Sequence, residues 1–276
     1  MNDALMQIAA AGNPLRLVQI TDTHLKQEAG GSLVGMNTDN SLAHVIDLVK
    51  REQPAIDLVL GTGDISDHGS EEAYQRAAVF FSRLEAPVLW LPGNHDDASA
   101  MNRVLGQQGK LLRAAVGGNW IVVLLNSQIP GEVGGELGAT ELAWLEECLQ
   151  YAERNQLHCL VCLHHQPVPM GSAWIDTQMV ADRESFFATL ARYSCVRGVL
   201  WGHVHQQLDA ERDGVRLMST PSSCIQFAPN NDDFKIDDIA PGYRWLELYA
   251  DGRIITGVSR VEGVRFEVDL QSSGYL

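Results

Sequence analysis

Aspartate, asparagine and histidine cluster where five apolar runs of this chain end. The junctions are Ile20-Thr21-Asp22-Thr23-His24, Leu60-Gly61-Thr62-Gly63-Asp64, Leu91-Pro92-Gly93-Asn94-His95, Leu163-His164-His165 and Trp201-Gly202-His203-Val204-His205. Imidazole nitrogens are borderline ligands for iron, manganese and zinc, while carboxylate and amide oxygens suit harder cations. A mixed nitrogen and oxygen set points to a pair of transition-metal ions. The candidate ligands are Asp22, His24, Asp64, Asn94, His164, His203 and His205. Two-metal hydrolysis needs ions about 3.5–4 Å apart that clamp the attacking and leaving oxygens. Cations that close need an anion between them, and Asp64 is the candidate bridge. Taken singly, Asp22-x-His24 and Gly63-Asp64 are weak, since Asp-x-His triplets are common in surface turns, while Gly93-Asn94-His95-Asp96 and Gly202-His203-Val204-His205 are more specific. Two histidines two apart at a strand end can face neighbouring ions, and the joint order of all five junctions carries the reading.

Such a centre requires elements that bring five junctions together. Residues 15–20, 58–60, 88–91, 121–125, 160–163, 196–201 and 215–218 are short runs, most of them rich in Val, Ile and Leu, which predicts strands. They alternate with amphipathic stretches, the pattern of an α/β protein. One predicted helix follows Thr38 and Asp39 as caps, with Leu42, Val45, Ile46 and Val49 on one face. A second follows Ser70, with Glu71 and Glu72 complementing the helix dipole and Tyr74, Ala77, Ala78 and Phe81 as its apolar face. A third follows Thr140, with Leu142, Leu145 and Leu149 inward. Residues 243–249 and 253–258 flank Asp251-Gly252 as a β-hairpin. Ligands of open α/β sheets bind beyond the carboxyl ends of the strands, so the junctions are expected to converge there.

Composition narrows the class. The chain has 276 residues, 45% hydrophobic and 20% charged, as in ordinary globular proteins. That length suits one domain, 1–276, with a core of about 15–260 and a tail of 261–276. A net charge of -15 argues against nucleic acid as a partner. It also means that an anionic substrate needs a local positive charge, which bound ions would supply. The five cysteines read as small buried hydrophobes in a reducing compartment. Cys159 and Cys162 would lie on opposite faces of a strand, which makes a redox pair improbable. The first 17 residues lack the basic region of a secretory leader, and no apolar run reaches the ~20 residues of a membrane span. The expectation is a cytoplasmic protein with no membrane partner.

The ordered set D-x-H, G-D, G-N-H-D, H-H and G-H-x-H resembles the signature of the calcineurin-like metallophosphoesterases. Residues 19–25 (QITDTHL), 90–96 (WLPGNHD) and 220–227 (TPSSCIQF) are similar to the bacterial class III 3',5'-cyclic-AMP phosphodiesterases. So is the tail, from Ile239-Ala240-Pro241-Gly242-Tyr243-Arg244 through Ser273-Gly274-Tyr275, and the resemblance runs from Leu15 to Tyr275. It implies a four-layer α/β/β/α sandwich with the metal site at the carboxyl ends of strands. It implies hydrolysis of cyclic AMP to 5'-AMP by in-line attack of a metal-bridging hydroxide, lowering intracellular cyclic AMP. Asp22, His24, Asp64 and His205 would hold one ion, commonly iron. Asp64, Asn94, His164 and His203 would hold the other, commonly manganese or iron. No ligand position departs from the family pattern. His95 would bind no metal and would protonate the departing 3'-oxygen. Asp67, three residues past Asp64, matches the position that orients this histidine, where a carboxylate fixes the tautomer and raises the imidazole pKa. His24, Asp64, Asn94, His95, His164 and His205 would surround the substrate phosphate.

Two other readings compete. The same fold and ions could serve a broad phosphodiesterase, a phosphomonoesterase or a nucleotide pyrophosphatase, because the metals read only phosphate. A non-catalytic scaffold would be expected to show a degraded ligand set, and here the set is intact. His165 points away from His164 on an extended chain and is read as supporting or structural. His68, His44 and His158 are read as surface or structural, and Asn126 and Ser127 receive no role. The acidic stretch 229–238 is read as a solvated loop, with a lid or a homodimer contact as the alternative.

Overall fold

The computed structural model describes residues 5–9 and 12–274. Tyr275 of the family-like tail, and residues 1–4, 10 and 11 of the amino-terminal stretch, lie outside them. All seven apolar runs are strands, with ends within two residues of those read from the sequence.

One sheet has five strands, in the order Ile254–Arg260, Gly242–Leu248, Leu15–Ile20, Leu58–Thr62, Val88–Leu91. Its last three strands are parallel, and the first two form the expected antiparallel hairpin. The other sheet has seven, in the order Leu5–Gln7, Ala114–Gly117, Trp120–Leu124, His158–Cys162, Val196–Trp201, Val215–Ser219, Leu208–Arg212. Its centre is also parallel.

Side-chain alternation builds the layers, because successive residues of a strand point to opposite faces. Leu15, Leu17, Leu58, Leu60, Leu89 and Leu91 meet Trp120, Val122, Leu124, Leu160, Cys162 and Leu200 between the two sheets. Val18, Ile20, Val59 and Trp90 face the other way, onto the helices Thr38–Glu52 and Glu71–Ser82. Ile121, Val123, Cys159 and Val161 pack beneath the helix Gly138–Arg154. The result is the expected α/β/β/α sandwich. Cys159 and Cys162 sit on opposite faces of one sheet, and all five cysteines are buried and unbridged.

Two helix starts differ from the sequence reading. Thr38 is already helical, and Asn37 is the cap, its side chain accepting from the backbone N–H of Asn40 at 2.8 Å. Asp39 instead accepts from Arg76 at 2.9 Å. The third helix starts at Gly138, not after Thr140. The carboxylate of Asp182 accepts from the N–H groups of Leu137 and Gly138 at 2.9 and 2.8 Å, capping the helix from 44 residues away. Ser70 caps the second helix as read, accepting from Ala73 at 3.2 Å.

Candidate metal centre

The strands of both sheets end around one point, and the chain turns sharply there. Asp22, His24, Asp64, His203 and His205 all have positive φ, between 46° and 63°. Non-glycine residues adopt this left-handed region uncommonly, and its clustering marks a functional site. The turns are laced together, with Asp22 N–H donating to Gly63 O at 3.0 Å and His24 N–H to Asp64 O at 2.9 Å. The carboxylate of Asp22 receives the backbone N–H of His203 at 3.1 Å, which joins the two sheets directly. Below, Gln19 donates to Thr62 Oγ1 at 2.8 Å and Trp201 O at 3.2 Å, a second tie between sheets. The motif glycines are set by close approach. A Cβ on Gly93 would lie 2.2 Å from Asp64 Oδ1, and one on Gly202 would lie 2.7 Å from Asp22 Oδ2.

Six of the seven candidate ligands are buried, and Asn94 is half-buried. His24 Nε2 and His205 Nε2 are 3.2 Å apart, and His205 Nε2 is 3.4 Å from Asp22 Oδ1. His164 Nε2 lies 3.2 Å from both Asp64 Oδ2 and Asn94 Oδ1. Asp64 Oδ2 is also 3.8 Å from His24 Nε2, so this carboxylate stands between the two groups. His203 adjoins His164, ring centroids 5.1 Å apart, and its buried Nε2 has no hydrogen-bond partner.

The opposite ring nitrogens decide what these contacts mean. His24 Nδ1 faces Asp67 Oδ1 at 3.2 Å, His205 Nδ1 faces Ile225 O at 2.8 Å, and His164 Nδ1 faces Thr62 O at 2.8 Å. All three partners are acceptors, so each Nδ1 carries the proton. Each Nε2 then points inward, toward other acceptors, and in the neutral form that binds metal it presents a lone pair there. Lone pairs and carboxylate oxygens converging without a donor repel unless a cation lies among them. The donor set therefore fits two metal ions sharing Asp64.

The electrostatics agree. Burial opposes charge on Asp64, but His164 and His95 beside it hold its carboxyl well below the usual range. Burial alone would lower the His164 pKa; the Asp64 carboxylate outweighs it and raises it to about 9. A proton on His164 thus stands where a cation would. Burial pushes the imidazoles of His203 and His24 down, favouring the neutral form that coordinates metal.

His95 is placed between the turns by its own N–H, which donates to Asp64 Oδ1 at 2.9 Å. The role given to Asp67 needs correcting in its geometry. The main-chain carbonyl of Asp67, at 3.0 Å, accepts from His95 Nδ1, while its carboxylate is 4.0 Å from that nitrogen. The carboxylate turns to His24 Nδ1 and to Lys26 Nζ, with His68 Nε2 at 3.1 Å. Burial would raise its pKa, but His24 and Lys26 hold it below the carboxylate range.

Sequence reasoning missed two supports, Asp96 and Ser127. Asp96, though inside the motif, received no role. It accepts from Gly93 N–H at 2.9 Å, Ser66 N–H at 2.9 Å and Tyr74 OH at 3.0 Å, so it fixes both the Asp64 and the Asn94 turns. Burial and the charge of Asp64 raise its pKa to about 6. Ser127 lies 2.8 Å from His165 Nδ1. His165, read as supporting or structural, belongs to the buried imidazole group with His164 and His203, and burial lowers its pKa to about 3. His68 is 76% exposed, His44 is half-buried against Phe266, and His158 contacts Arg197 and Trp120 far from the turns.

Residues 15–207 match the calcineurin-like phosphoesterase family. The chain is 46% identical over 259 residues to the 3',5'-cyclic adenosine monophosphate phosphodiesterase CpdA of Pseudomonas aeruginosa, covering 94% of each. It is 40% identical over 276 residues to the protein of that name from Escherichia coli (strain K12), covering 99% of this chain and all of the relative. Among solved structures, a dimetal phosphatase from Danio rerio superposes with a TM-score of 0.63 at 16% identity, covering 91% of this chain and 100% of that one. A purple acid phosphatase from yellow lupin gives 0.61 at 15% identity, covering 93% and 53%. Those two likenesses speak for the fold alone. With the family matched across both sheets and relatives aligned nearly end to end, the chain belongs to the calcineurin-like phosphoesterase family.

Proposed function

We propose that this protein is a binuclear-metal phosphodiesterase that hydrolyses 3',5'-cyclic AMP to 5'-AMP and so lowers intracellular cyclic AMP. One observation carries the phosphodiesterase reading: three imidazoles held through Nδ1 aim Nε2 at buried carboxylates, at one another and at the half-buried Asn94 amide oxygen. The substrate comes from the relatives, which are named cyclic-AMP phosphodiesterases over nearly the whole chain.

Asp22, His24, Asp64 and His205 would hold one ion, read as iron. Asp64, Asn94, His164 and His203 would hold the other, read as manganese or iron. Such ions supply a hydroxide at neutral pH and neutralise charge on the phosphoryl oxygens. The chain does the rest. The Asp67 carbonyl fixes His95 through Nδ1, leaving Nε2 to give a proton to the departing 3'-oxygen. The Asp67 carboxylate, 4.0 Å from that Nδ1, sets His24 instead. His24, Asp64, Asn94, His164 and His205, with His95, would surround the phosphate.

We also read the chain as one domain, because a single apolar layer joins both sheets. No helix among the described residues is long and apolar enough to cross a membrane. Five unbridged, buried cysteines support a cytoplasmic place of action, and the charge of -15 speaks against nucleic acid as a partner. Product identity tests the mechanism. Cyclic AMP is expected to yield 5'-AMP; 3'-AMP would mean that the proton goes to the other ester oxygen.

A further inference from the structure

The metal centre recognises a phosphate and is blind to what the phosphate carries. An aromatic group lies directly against it. The ring of Phe227 stacks flat on the imidazole of His205, centroids 4.1 Å apart and planes at 6°. Phe227 in turn meets Trp174 at 5.0 Å and Phe234 at 5.5 Å, and Trp174 meets Phe234 at 5.2 Å. The first two separations, 4.1 and 5.0 Å, bound the distance from the indole to the His205 ring at their sum. The indole therefore lies within a nucleotide's reach of the His205 ring.

The cluster is built, not incidental. Trp174 sits on the segment that leaves the seven-stranded sheet through His164 and His165. That segment is held by Gln166, whose Nε2 donates to Ile175 O at 2.7 Å. Asp176 accepts from the N–H groups of Met170 and Gly171 at 2.6 and 3.0 Å. The acidic stretch grips it from the other side, Asp232 O accepting from Trp174 N–H at 3.1 Å. Asn231 N–H donates to Ser172 Oγ at 3.4 Å. Phe227 is buried, whereas Trp174 and Phe234 are only half-buried. The buried indole Nε1–H has no hydrogen-bond partner. A rigid aromatic surface with one spare donor, beside a phosphate-reading centre, has the composition of a nucleobase site.

We propose that Trp174 and Phe234, braced by Phe227, form the subsite for the nucleobase of the substrate, and that the acidic stretch positions the indole. This inference rests on the cyclic-nucleotide reading above. Recognition by stacking separates a base from no base far better than one purine from another, because every base presents a π-face. The acidic stretch then has a task that neither a free loop nor a dimer contact would give it.

The test uses bis-p-nitrophenyl phosphate, which has no base, as the reporter substrate for the metal-loaded full chain. Inhibition constants are measured for 5'-AMP and for ribose 5-phosphate, which share the phosphate and ribose. Wild type is expected to prefer 5'-AMP by about tenfold or more. Trp174→Ala should remove that preference and Trp174→Phe should keep part of it. The ratio of inhibition constants is insensitive to a partly unfolded preparation, which lowers only the rate. A wild-type enzyme that does not distinguish the two inhibitors, or Trp174→Ala with an unchanged ratio, overturns the inference. Failure of the cyclic-nucleotide reading shows separately, as a chain that turns over the reporter but not cyclic AMP.

Discussion

At the residue scale, two substitutions separate the roles at the centre. His95→Ala is expected to lower kcat about 10²–10⁴-fold with metal content unchanged. Kinetics beside metal analysis check this, and equal loss of metal would make His95 structural. Side-chain type was legible in the sequence and tautomer was not. Asp, Asn and His after apolar runs announced metal chemistry, because few other tasks need those donors together. What orients them is largely main chain: Thr62 O for His164, Ile225 O for His205, Asp67 O for His95. A carbonyl acceptor has no sequence signature, since every residue has one. The left-handed turns at Asp22 and His24 were invisible for a similar reason, as neither residue type demands positive φ. Asp67→Asn leaves the carbonyl that holds His95 but weakens the carboxylate that sets His24. It should therefore lower metal affinity by about 10–100-fold, measured by titration with a metal-sensitive dye. Unchanged affinity would place Asp67 outside the metal support.

At the element scale, strands buried on both faces read easily, as continuous Val, Ile and Leu runs. Leu208–Arg212 escaped notice because it is an edge strand with almost every residue exposed, so no apolar pattern marks it. Ala114–Gly117 escaped because its residues are small. Helix starts were legible only where the cap is local. Ser70 announces its helix, whereas the helix at Gly138 depends on Asp182, which reaches it through the fold. Ser70→Ala should cost about 1 kcal/mol of stability in urea unfolding. Asp182→Ala should cost about as much or more, since the N–H groups of Leu137 and Gly138 lose their acceptor. A neutral result for Asp182→Ala would show that water replaces the carboxylate.

At the scale of the whole molecule, a protein of charge -15 gathers acids and imidazoles at the meeting of two sheets. The family-like order of motifs made this architecture readable, because each motif follows one strand. The ions are then part of the fold as well as of the chemistry. Ions that bind only the folded state stabilise it by mass action. Chelation should lower the thermal midpoint, and adding back manganese or iron should restore it; a midpoint indifferent to chelator would mean that the turns hold without cations. The central claim is tested most directly by kcat/KM on protein of measured metal content, across cyclic AMP, cyclic GMP, 2',3'-cyclic AMP and bis-p-nitrophenyl phosphate. About two ions per chain and efficient turnover of cyclic AMP are expected. A fully loaded enzyme that cleaves bis-p-nitrophenyl phosphate and leaves cyclic AMP intact would contradict it.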